Sequence, residues 1–316
     1  MLSVQSSPAV DVSELTHRYG SRIALDALTL RVESEEIFGL LGPNGGGKTT
    51  LFRILSTLCP PTKGSARIFG ASITTDPQIV RKKIGVLFQN PSLDPRLTVQ
   101  ENLRHQGHLY GMSGLPLLNR INEMLERCGV RDRSKNLVET LSGGLRRRVE
   151  IAKGLLHSPK LLLLDEPSTG IDPGARREIW STLRELRDRD HVTIFLTTHI
   201  MEEAEGCDRV AILHRGKLIT VDTPESLKSS IRGDVISIES KNPQTLAEQI
   251  QTEFGMASTV FNGTVRVEHP EGHRFLPRLM ESFPGEISAV AMRKPTLEDV
   301  FVHRTGDRFK TEEGFN

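Results

Sequence analysis

The sequence predicts an α/β fold built around a mainly parallel sheet, followed by a smaller α+β domain. Over the first 230 residues, short β-branched or apolar runs alternate with helical patterns, which is typical of a parallel sheet covered by helices. The alternation stops at about residues 98–157, where helical periodicity takes over, and its character changes again after residue 230. We therefore expect an α/β domain over residues 1–230 with an inserted helical subdomain at about 98–157, and an accessory domain over 231–305.

Composition and charge describe an ordinary globular chain. Its 316 residues are about twice the length of a typical domain. Lysine plus arginine number 41 and aspartate plus glutamate 40, so the formal net charge of +1 gives no bulk attraction to nucleic acid or to an anionic membrane. The densest apolar run, 161–164, ends at Asp165, far short of the roughly eighteen apolar residues that span a bilayer. We expect no nucleic-acid partner and no membrane-spanning segment.

Two further features concern the compartment. The start, MLSVQSSPAV, lacks the basic region and the long apolar stretch of a secretory signal. The three cysteines, Cys59, Cys128 and Cys207, are widely spaced and fit neither a disulfide framework nor a paired zinc site. We expect a cytosolic chain whose cysteines are packing residues.

Local sequence patterns predict individual strands and helices in the first domain. Apolar runs predict strands at residues 37–41, 84–88, 161–164 and 192–197. In the inserted segment, Thr98 with Glu101 three residues later forms a capping box, which predicts the start of a helix. A second helix is predicted from apolar side chains that share one helical face, namely Leu118, Ile121, Leu125 and Cys128.

The accessory domain has a different order of elements, β-α-β-β-α-β. Before it, Thr223 and Pro224 predict the first turn of a short helix. Strand patterns cover residues 234–240, 257–268 and 287–292, the middle one divided by a turn at Asn262-Gly263, and helical patterns cover 245–254 and 274–283. We expect a small ferredoxin-like sandwich, a last helix from Thr296 and a polar tail at 306–316.

Residues 42–49 read GPNGGGKT and match the phosphate-loop pattern G-x-x-x-x-G-K-[ST], between a predicted strand and the helical run TLFRIL. The glycines let the backbone turn its N–H groups toward phosphate oxygens at a helix N-terminus, which favours anions. We expect Lys48 to reach the β- and γ-phosphates and Thr49 to hold Mg²⁺. The predicted nucleotide-binding residues of this segment are Gly42, Pro43, Asn44, Gly45, Gly46, Gly47, Lys48, Thr49 and Thr50.

A second motif, LLLLDEP at residues 161–167, ends an apolar strand in two carboxylates. The carboxyl ends of parallel strands are where α/β proteins bind their ligands. We expect Asp165 to hold Mg²⁺, directly or through water, and Glu166 to polarise the water that attacks the γ-phosphate. An acidic strand end alone is a common surface feature, so this assignment depends on the phosphate loop upstream.

Residues 141–148 read LSGGLRRR and lie between these two motifs. Four further motifs are HRYG with Tyr19, VLFQNP with Gln89, STGIDP with Asp172 and LTTHIMEEAE with His199. Together they make the chain resemble an ATP-binding-cassette (ABC) ATPase over at least residues 8–225. The resemblance implies a P-loop NTPase cassette, in which the mainly parallel sheet is joined by an antiparallel β part and the inserted helical subdomain.

The resemblance implies roles for three residues within one subunit. Tyr19 can stack on adenine, a contact that leaves the phosphates to the glycine loop. Gln89 follows a predicted strand and can reach Mg²⁺ or the attacking water, while its loop faces outward toward a partner. His199 is implied to contact the γ-phosphate.

It also implies that the site is shared between subunits. Ser142, Gly143 and Gly144 are implied to bind the γ-phosphate of ATP held by the opposite subunit, and Asp172 to position the neighbouring phosphate loop. A hydroxyl, two unobstructed N–H groups and a helix N-terminus suit that task. The site therefore needs a second copy of the chain or a paralogous ATPase.

The chain departs from the family pattern at two positions. Leu145 stands where glutamine often follows the two glycines, and Gly46 replaces a more usual alanine or serine. The arginines at 146–148 face different directions on a helix, so we predict a solvated or ion-paired helix and assign them no catalytic role. Leu145, this arginine run and the segment KPTLEDVFVHRTG at 294–306 resemble the export-type branch, which includes drug, polysaccharide and lipid exporters.

The function that the resemblance implies is the energy-converting subunit of an exporter. Two copies close around two Mg·ATP and drive separate transmembrane permease chains, through which alone the protein contacts the cytoplasmic face of the membrane. One alternative is a soluble ABC ATPase acting on the ribosome or on DNA; the single phosphate loop and the lack of a heptad insert argue against it. Another is a nucleotide-binding regulator without turnover, against which Glu166 and His199 argue.

Overall fold

The computed structural model describes residues 7–231, 233–261 and 263–307 and divides into two units, with the division between Asp222 and Thr223. Residues 1–6 of the chain start, Asn262 of the predicted turn and residues 308–316 of the predicted tail lie outside the described residues. We expected the division at residue 230. The short helix at 224–229 belongs instead with the second unit, because it packs against the last helix of the chain.

The first unit contains two sheets and seven α-helices among the described residues. The strands are β1 (Val10–Tyr19), β2 (Arg22–Val32), β3 (Ile37–Leu41), β4 (Lys63–Ile68), β5 (Ala71–Ser72), β6 (Ile84–Leu87), β7 (Leu161–Asp165), β8 (Thr193–Thr198), β9 (Arg209–His214) and β10 (Lys217–Asp222). The helices are α1 (Lys48–Leu55), α2 (Pro77–Lys83), α3 (Val99–Leu109), α4 (Gly114–Arg127), α5 (Gly143–Leu155), α6 (Pro173–Asp190) and α7 (Met201–Glu205).

The larger sheet has the strand order β10-β9-β3-β8-β7-β6, and all neighbours are parallel except β10 with β9. The smaller sheet, β2-β1-β4-β5, is antiparallel. The mainly parallel sheet and the antiparallel part are thus confirmed. Strands β3, β7 and β8 are buried at every residue, as expected for continuous apolar strands covered on both faces.

The inserted segment forms the helices α3, α4 and α5. The predicted capping box is present: Thr98 accepts a hydrogen bond from the Glu101 amide, and the Glu101 carboxylate accepts one from the Thr98 amide. The buried face of α4 contains Leu117 and Met124 in addition to the predicted Ile121, Leu125 and Cys128, whereas Leu118 is only half-buried. Leu117 replaces Leu118 on this face because Gly107 of α3, which has no side chain, leaves it room to pack.

The second unit contains one four-stranded sheet. Its elements are α8 (Pro224–Ser229), β11 (Asp234–Ser240), α9 (Pro243–Phe254), β12 (Ser258–Phe261), β13 (Thr264–His269), α10 (Gly272–Ser282), β14 (Ile287–Arg293) and α11 (Leu297–Thr305). The strand order is β12-β13-β11-β14, and every neighbouring pair is antiparallel. Apolar side chains of α9 and α10, such as Leu246 and Phe275, pack on Ile236 and Val267 of the sheet to form a separate core.

Across residues 7–231, 233–261 and 263–307, we find no helix that has both the length and the apolarity needed to cross a bilayer.

Large side chains from neighbouring parallel strands pack against each other in the core of the first unit. Phe195 of β8 is fully buried and stacks on Phe38 of β3, with 5.7 Å between ring centroids. We expect Phe195→Ala to lower the free energy of unfolding by about 3–5 kcal/mol, because the surrounding strands cannot close the cavity it leaves. Urea denaturation followed by circular dichroism measures this, with Leu109→Ala, at a side chain 82% exposed, as the control. A loss no larger than that of the control would contradict this packing.

Candidate active site

The glycine loop connects β3 to α1 at the carboxyl edge of the parallel sheet. Gly45 and Gly47 have φ angles of 76° and 111°, in the left-handed region that favours glycine, and α1 begins at the next residue, Lys48. Lys48 Nζ donates hydrogen bonds to the carbonyl oxygens of Gly42 at 2.7 Å and Pro43 at 3.3 Å. The loop therefore presents a helix N-terminus and an ammonium group at one place, a combination suited to phosphate.

The Glu166 carboxylate connects four side chains at this edge. Its Oε1 lies 3.2 Å from Lys48 Nζ and 3.2 Å from His199 Nδ1. Its Oε2 accepts hydrogen bonds from Gln89 Nε2 at 3.2 Å and from the Thr169 hydroxyl at 3.3 Å. Glu166 also has a φ of 47°, a strained value for a residue with a side chain, and such strain is concentrated at functional sites.

Asp165 is held from the neighbouring strand β8. The Thr197 hydroxyl donates to Asp165 Oδ1 at 2.5 Å and accepts from the Glu166 amide at 3.1 Å. Asp165 is buried, with 2% of its surface exposed. One threonine thus orients the Asp165 carboxylate and the Glu166 backbone, because the register of β7 and β8 places Thr197 directly opposite Asp165.

Burial and charge move the pKa values of these groups in different directions. Burial raises the pKa of Asp165, although the Thr197 hydrogen bond opposes the change. Burial also acts to raise the pKa of Glu166, but the contact with His199 and the charge of Lys48 outweigh it and lower this pKa to about 2. Burial lowers the pKa of Lys48, against the attraction of Glu166.

A cavity of about 440 Å³ contains most of the predicted nucleotide-binding residues. Those that line it are Tyr19, Pro43, Asn44, Gly45, Gly47, Lys48, Thr49, Thr50, Gln89 and Glu166. The two remaining loop residues, Gly42 and Gly46, use their amides within the protein. The Gly46 amide donates to the Pro43 carbonyl, and the Gly42 amide donates to the Thr198 carbonyl. Asp165 directly precedes the lining residue Glu166 in the chain, and His199 Nδ1 lies 3.2 Å from Glu166 Oε1.

Four further predicted residues also do not line this cavity: Ser142, Gly143, Gly144 and Asp172. Ser142 and Gly143 are exposed at the start of α5, where Ser142 accepts a hydrogen bond from the Leu145 amide. Gly144 is buried because it packs against Ala175, which leaves no room for a Cβ atom. Asp172 is exposed and caps α6 by accepting from the Ala175 amide at 2.9 Å.

Two arginines at the site were missed by the sequence analysis. Arg22 lines the cavity because it pairs with Tyr19 across the turn between β1 and β2, and its Nη2 donates to the Gly45 carbonyl at 3.4 Å. Arg147, expected on a solvated or ion-paired helix, is 7% exposed and pairs with the equally buried Glu150. The other two arginines of this run, Arg146 and Arg148, are partly exposed. The apolar pattern of α5 could have indicated that position 147 faces inward.

The oxygen atoms at the site could hold a divalent cation. Thr49, Asp165 and Gln89 offer a hydroxyl, a carboxylate and an amide oxygen, which are the ligand types Mg²⁺ prefers. Within the part of the chain that the structure describes, no group of three or more His, Cys, Asp or Glu residues could hold a metal. The oxygen donors of Thr49, Asp165 and Gln89 fit Mg²⁺, an ion that in proteins usually keeps several waters and is bound by one or two carboxylates together with substrate phosphates.

Comparisons with known proteins agree with one another. The family described as ABC transporter matches residues 25–169. The chain is 36% identical to the daunorubicin/doxorubicin resistance ATP-binding protein DrrA of Streptomyces peucetius, over 99% of this chain and 98% of that protein. It is 36% identical to the Nod factor export ATP-binding protein I of Rhizobium etli, over 94% and 93% of the two chains. The dimeric post-hydrolysis structure of the ATP-binding cassette MJ0796, bound to ADP and Pi, has a TM-score of 0.61 and 28% identity, and covers 68% of this chain and 98% of its own.

The low pKa of Glu166 makes stability depend on pH. This pKa is about 2 in the folded protein against 4.5 ordinarily, so the stabilisation is complete above about pH 4.5 and is lost as the pH falls toward 2. Between about pH 5 and pH 3, we expect the wild-type free energy of unfolding to fall more steeply than that of Glu166→Gln. Urea denaturation across this range measures both slopes, and Glu202→Gln, at a side chain 85% exposed, is the control. Equal slopes for wild type and Glu166→Gln would contradict the assigned charge pairing.

Proposed function

This chain belongs to the ATP-binding subunits of ABC transporters, and we propose that it powers export by hydrolysing ATP at the site formed by Lys48, Asp165 and Glu166. The observation that carries the site assignment is the position of the Glu166 carboxylate. It lies 3.2 Å from both Lys48 Nζ and His199 Nδ1, beside the glycine loop. A carboxylate there can polarise a water molecule next to a γ-phosphate that Lys48 binds.

The phosphates are held by the backbone and by Lys48. The amides of the glycine loop and the start of α1 bind phosphate oxygens, and Lys48 neutralises charge on the β- and γ-phosphates. Tyr19, half-exposed at the rim of the cavity, stacks on adenine, and Arg22 lies beside it. Thr49, Gln89 and Asp165 would hold Mg²⁺, which when bound would neutralise the charge that develops on the transferring phosphoryl group.

Hydrolysis needs a general base and groups that orient it. Glu166, with a pKa near 2, is ionised at neutral pH and can accept a hydrogen bond from the attacking water. Its side chain is oriented by Gln89 and Thr169, which donate to Oε2, and its backbone by Thr197. His199 lies on the Oε1 side, and in the proposed reaction it contacts the γ-phosphate.

ABC ATPases form dimers, and here we propose a dimer that shares its two nucleotide sites. The exposure of Ser142 and Gly143, away from the cavity of their own chain, leaves them free to reach the nucleotide of a partner. Asp172 positions the neighbouring phosphate loop. ATP contacts both subunits only in the closed dimer, so its binding stabilises the closed dimer over the open state. Hydrolysis removes this preferential stabilisation. The second subunit is another copy of this chain or a paralogous ATPase.

The free energy of ATP binding and hydrolysis drives conformational change in separate transmembrane permease chains. ABC ATPases act with such chains, and we propose that the Gln89 loop and the helical subdomain at 98–157 form the contact, at the cytoplasmic face of the membrane. The relatives named above serve resistance to daunorubicin and doxorubicin and the export of Nod factor, which supports export as the direction of transport. Neither of these relatives supports the alternative of a soluble ATPase acting on the ribosome or on DNA.

Glu166→Gln keeps the shape of the side chain and removes the base. We expect ATP turnover to fall by about 100-fold or more, and gel filtration with ATP to show a nucleotide-bound dimer that persists. Phosphate release assays with Mg·ATP measure the rate, with Glu202→Gln as the control. Turnover at the wild-type rate, with Mg·ATP demonstrably bound, would show that Glu166 is not the base.

Lys48→Ala removes the ammonium group from the glycine loop. We expect the Kd for ATP to rise about tenfold or more, because a charge-assisted contact with phosphate is lost, and dimer formation to fail. Equilibrium binding of a fluorescent ATP analogue measures the affinity. Lys217→Ala, at a side chain 67% exposed, is the control and should bind as wild type does. Unchanged affinity in Lys48→Ala would place the phosphates elsewhere.

A further inference from the structure

Three charged residues form one face of α5, the helix that begins at the Ser142 turn. Arg147, Glu150 and Lys153 are spaced three residues apart, so they lie along the same side of the helix. Arg147 and Glu150 are 7% and 3% exposed, and Arg147 Nη1 donates to Glu150 Oε2 at 2.9 Å. We call these three residues the α5 contact face.

Arg147 uses its whole guanidinium group on the backbone around the catalytic carboxylates. An arginine has five N–H donors, and here five acceptors lie within 2.7–3.2 Å of its nitrogens. Besides Glu150, they are the carbonyl oxygens of Phe88, Asp165, Glu166 and Pro167. Arg147 therefore joins α5 to the residue before Gln89 and to the strand end that carries Glu166.

Glu150 and Lys153 hold the far side of the Gln89 loop. Glu150 Oε1 accepts a hydrogen bond from the Ser92 amide at 2.7 Å. Lys153 Nζ donates to the Ser92 carbonyl at 2.7 Å and to its hydroxyl at 3.2 Å. The loop from Phe88 to Ser92 is thus bound to α5 at both ends, with Gln89 between them.

The burial of this ion pair argues for a role in geometry. Taking an arginine and a glutamate out of water costs about as much as their attraction returns, so such a pair adds little stability over apolar residues. What it does provide is direction, since each hydrogen bond fixes the place of one backbone oxygen. Apolar side chains at 147 and 150 could fill the space, but they would leave the loop and the strand end free to shift.

We propose that the α5 contact face positions Gln89 and Glu166 for hydrolysis and couples their geometry to the Ser142–Gly144 turn at the start of the same helix. When that turn engages the nucleotide of a partner subunit, a displacement of α5 moves the Gln89 loop and the Glu166 backbone with it. Arg147, Glu150 and Lys153 are positioning residues, since they act through Glu166 and Gln89. This inference rests on the proposed role of Glu166 as the base.

Arg147→Lys tests the proposal because it keeps the charge but has too few donors for the five acceptors. We expect kcat to fall about 10- to 100-fold, as for a small displacement of a catalytic group, while the Kd for ATP stays within about twofold. Arg148→Lys is the matched control, since the neighbouring Arg148 faces Glu178 instead and contacts the Gly129 carbonyl. A kcat within twofold of wild type in Arg147→Lys, or ATP affinity lost in parallel with kcat, would overturn the proposal.

A second pair of variants covers the case in which Arg147→Lys does not fold. Lys153 is partly exposed, and Lys153→Met removes its hold on Ser92 without a buried charge being left alone. We expect kcat to fall severalfold in Lys153→Met and to be restored in Lys153→Arg, which can donate to the same oxygens. No loss in Lys153→Met, or no recovery in Lys153→Arg, would overturn the role of this face.

The double variant Arg147→Lys/Glu166→Gln separates this inference from the proposed function. If Arg147 acts by positioning the Glu166 carboxylate, both directly and through the Gln89 side chain that donates to it, the residual single-turnover rate of Glu166→Gln should not fall further when Arg147→Lys is added. Losses that multiply would overturn the inference while leaving Glu166 as the base. Wild-type turnover in Glu166→Gln alone would instead reject the proposed function. For a chain that does not tolerate Arg147→Lys, Lys153→Met replaces it in the same cycle.

Discussion

The structure depends on a buried charge pair, Lys48 with Glu166, at the carboxyl edge of a parallel sheet. Their side chains are 4% and 8% exposed, and charges so far from water are tolerated only when they have partners. Each partner comes from a different element: the glycine loop carbonyls for Lys48, and Gln89, Thr169 and His199 for Glu166. The phosphate loop, the strand order and the β7–β8 register can all be understood as ways of bringing these groups together.

The same constraint explains the low pKa of Glu166 and the contrast with Asp165. The two carboxylates are adjacent in sequence, and burial acts on both. Glu166 faces the Lys48 ammonium group and the His199 ring, while Asp165 accepts a hydrogen bond from the Thr197 hydroxyl. Neighbouring carboxylates with different surroundings can do different work, one polarising water and the other holding a metal.

The helical subdomain is attached to this site through hydrogen bonds to backbone oxygens. α5 packs in the first unit beside β6 and α6, and its inward face holds the Gln89 loop and the end of β7. Through these hydrogen bonds, a displacement of α5 would also displace the backbone of Asp165 and Glu166. This coupling gives a physical route by which events at the Ser142 turn can reach Glu166, the proposed base of the same chain, as the proposed two-subunit site requires.

Much of this protein could be predicted from local patterns. Apolar runs predicted the central strands because those strands are buried on both faces, and the spacing of GPNGGGKT predicted the loop because only glycine adopts its backbone angles easily. The Thr98–Glu101 capping box was equally visible, since its hydrogen bonds join residues three apart. In each case the physical cause lies within a few residues of chain.

Other features were decided only by the tertiary structure, because their causes lie far apart in sequence. Arg147 lies in a run of three arginines, which in sequence is typical of a solvated helix. Nothing local shows that its hydrogen-bond acceptors come from residue 88 and from residues 165–167. Leu117 rather than Leu118 faces inward because Gly107 of another helix makes room for it. Arg22 reaches the glycine loop only because β2 folds back on β1. Sequence alone thus determined which residues could do the chemistry, and the packing of distant segments decided which of them are held in position to do it.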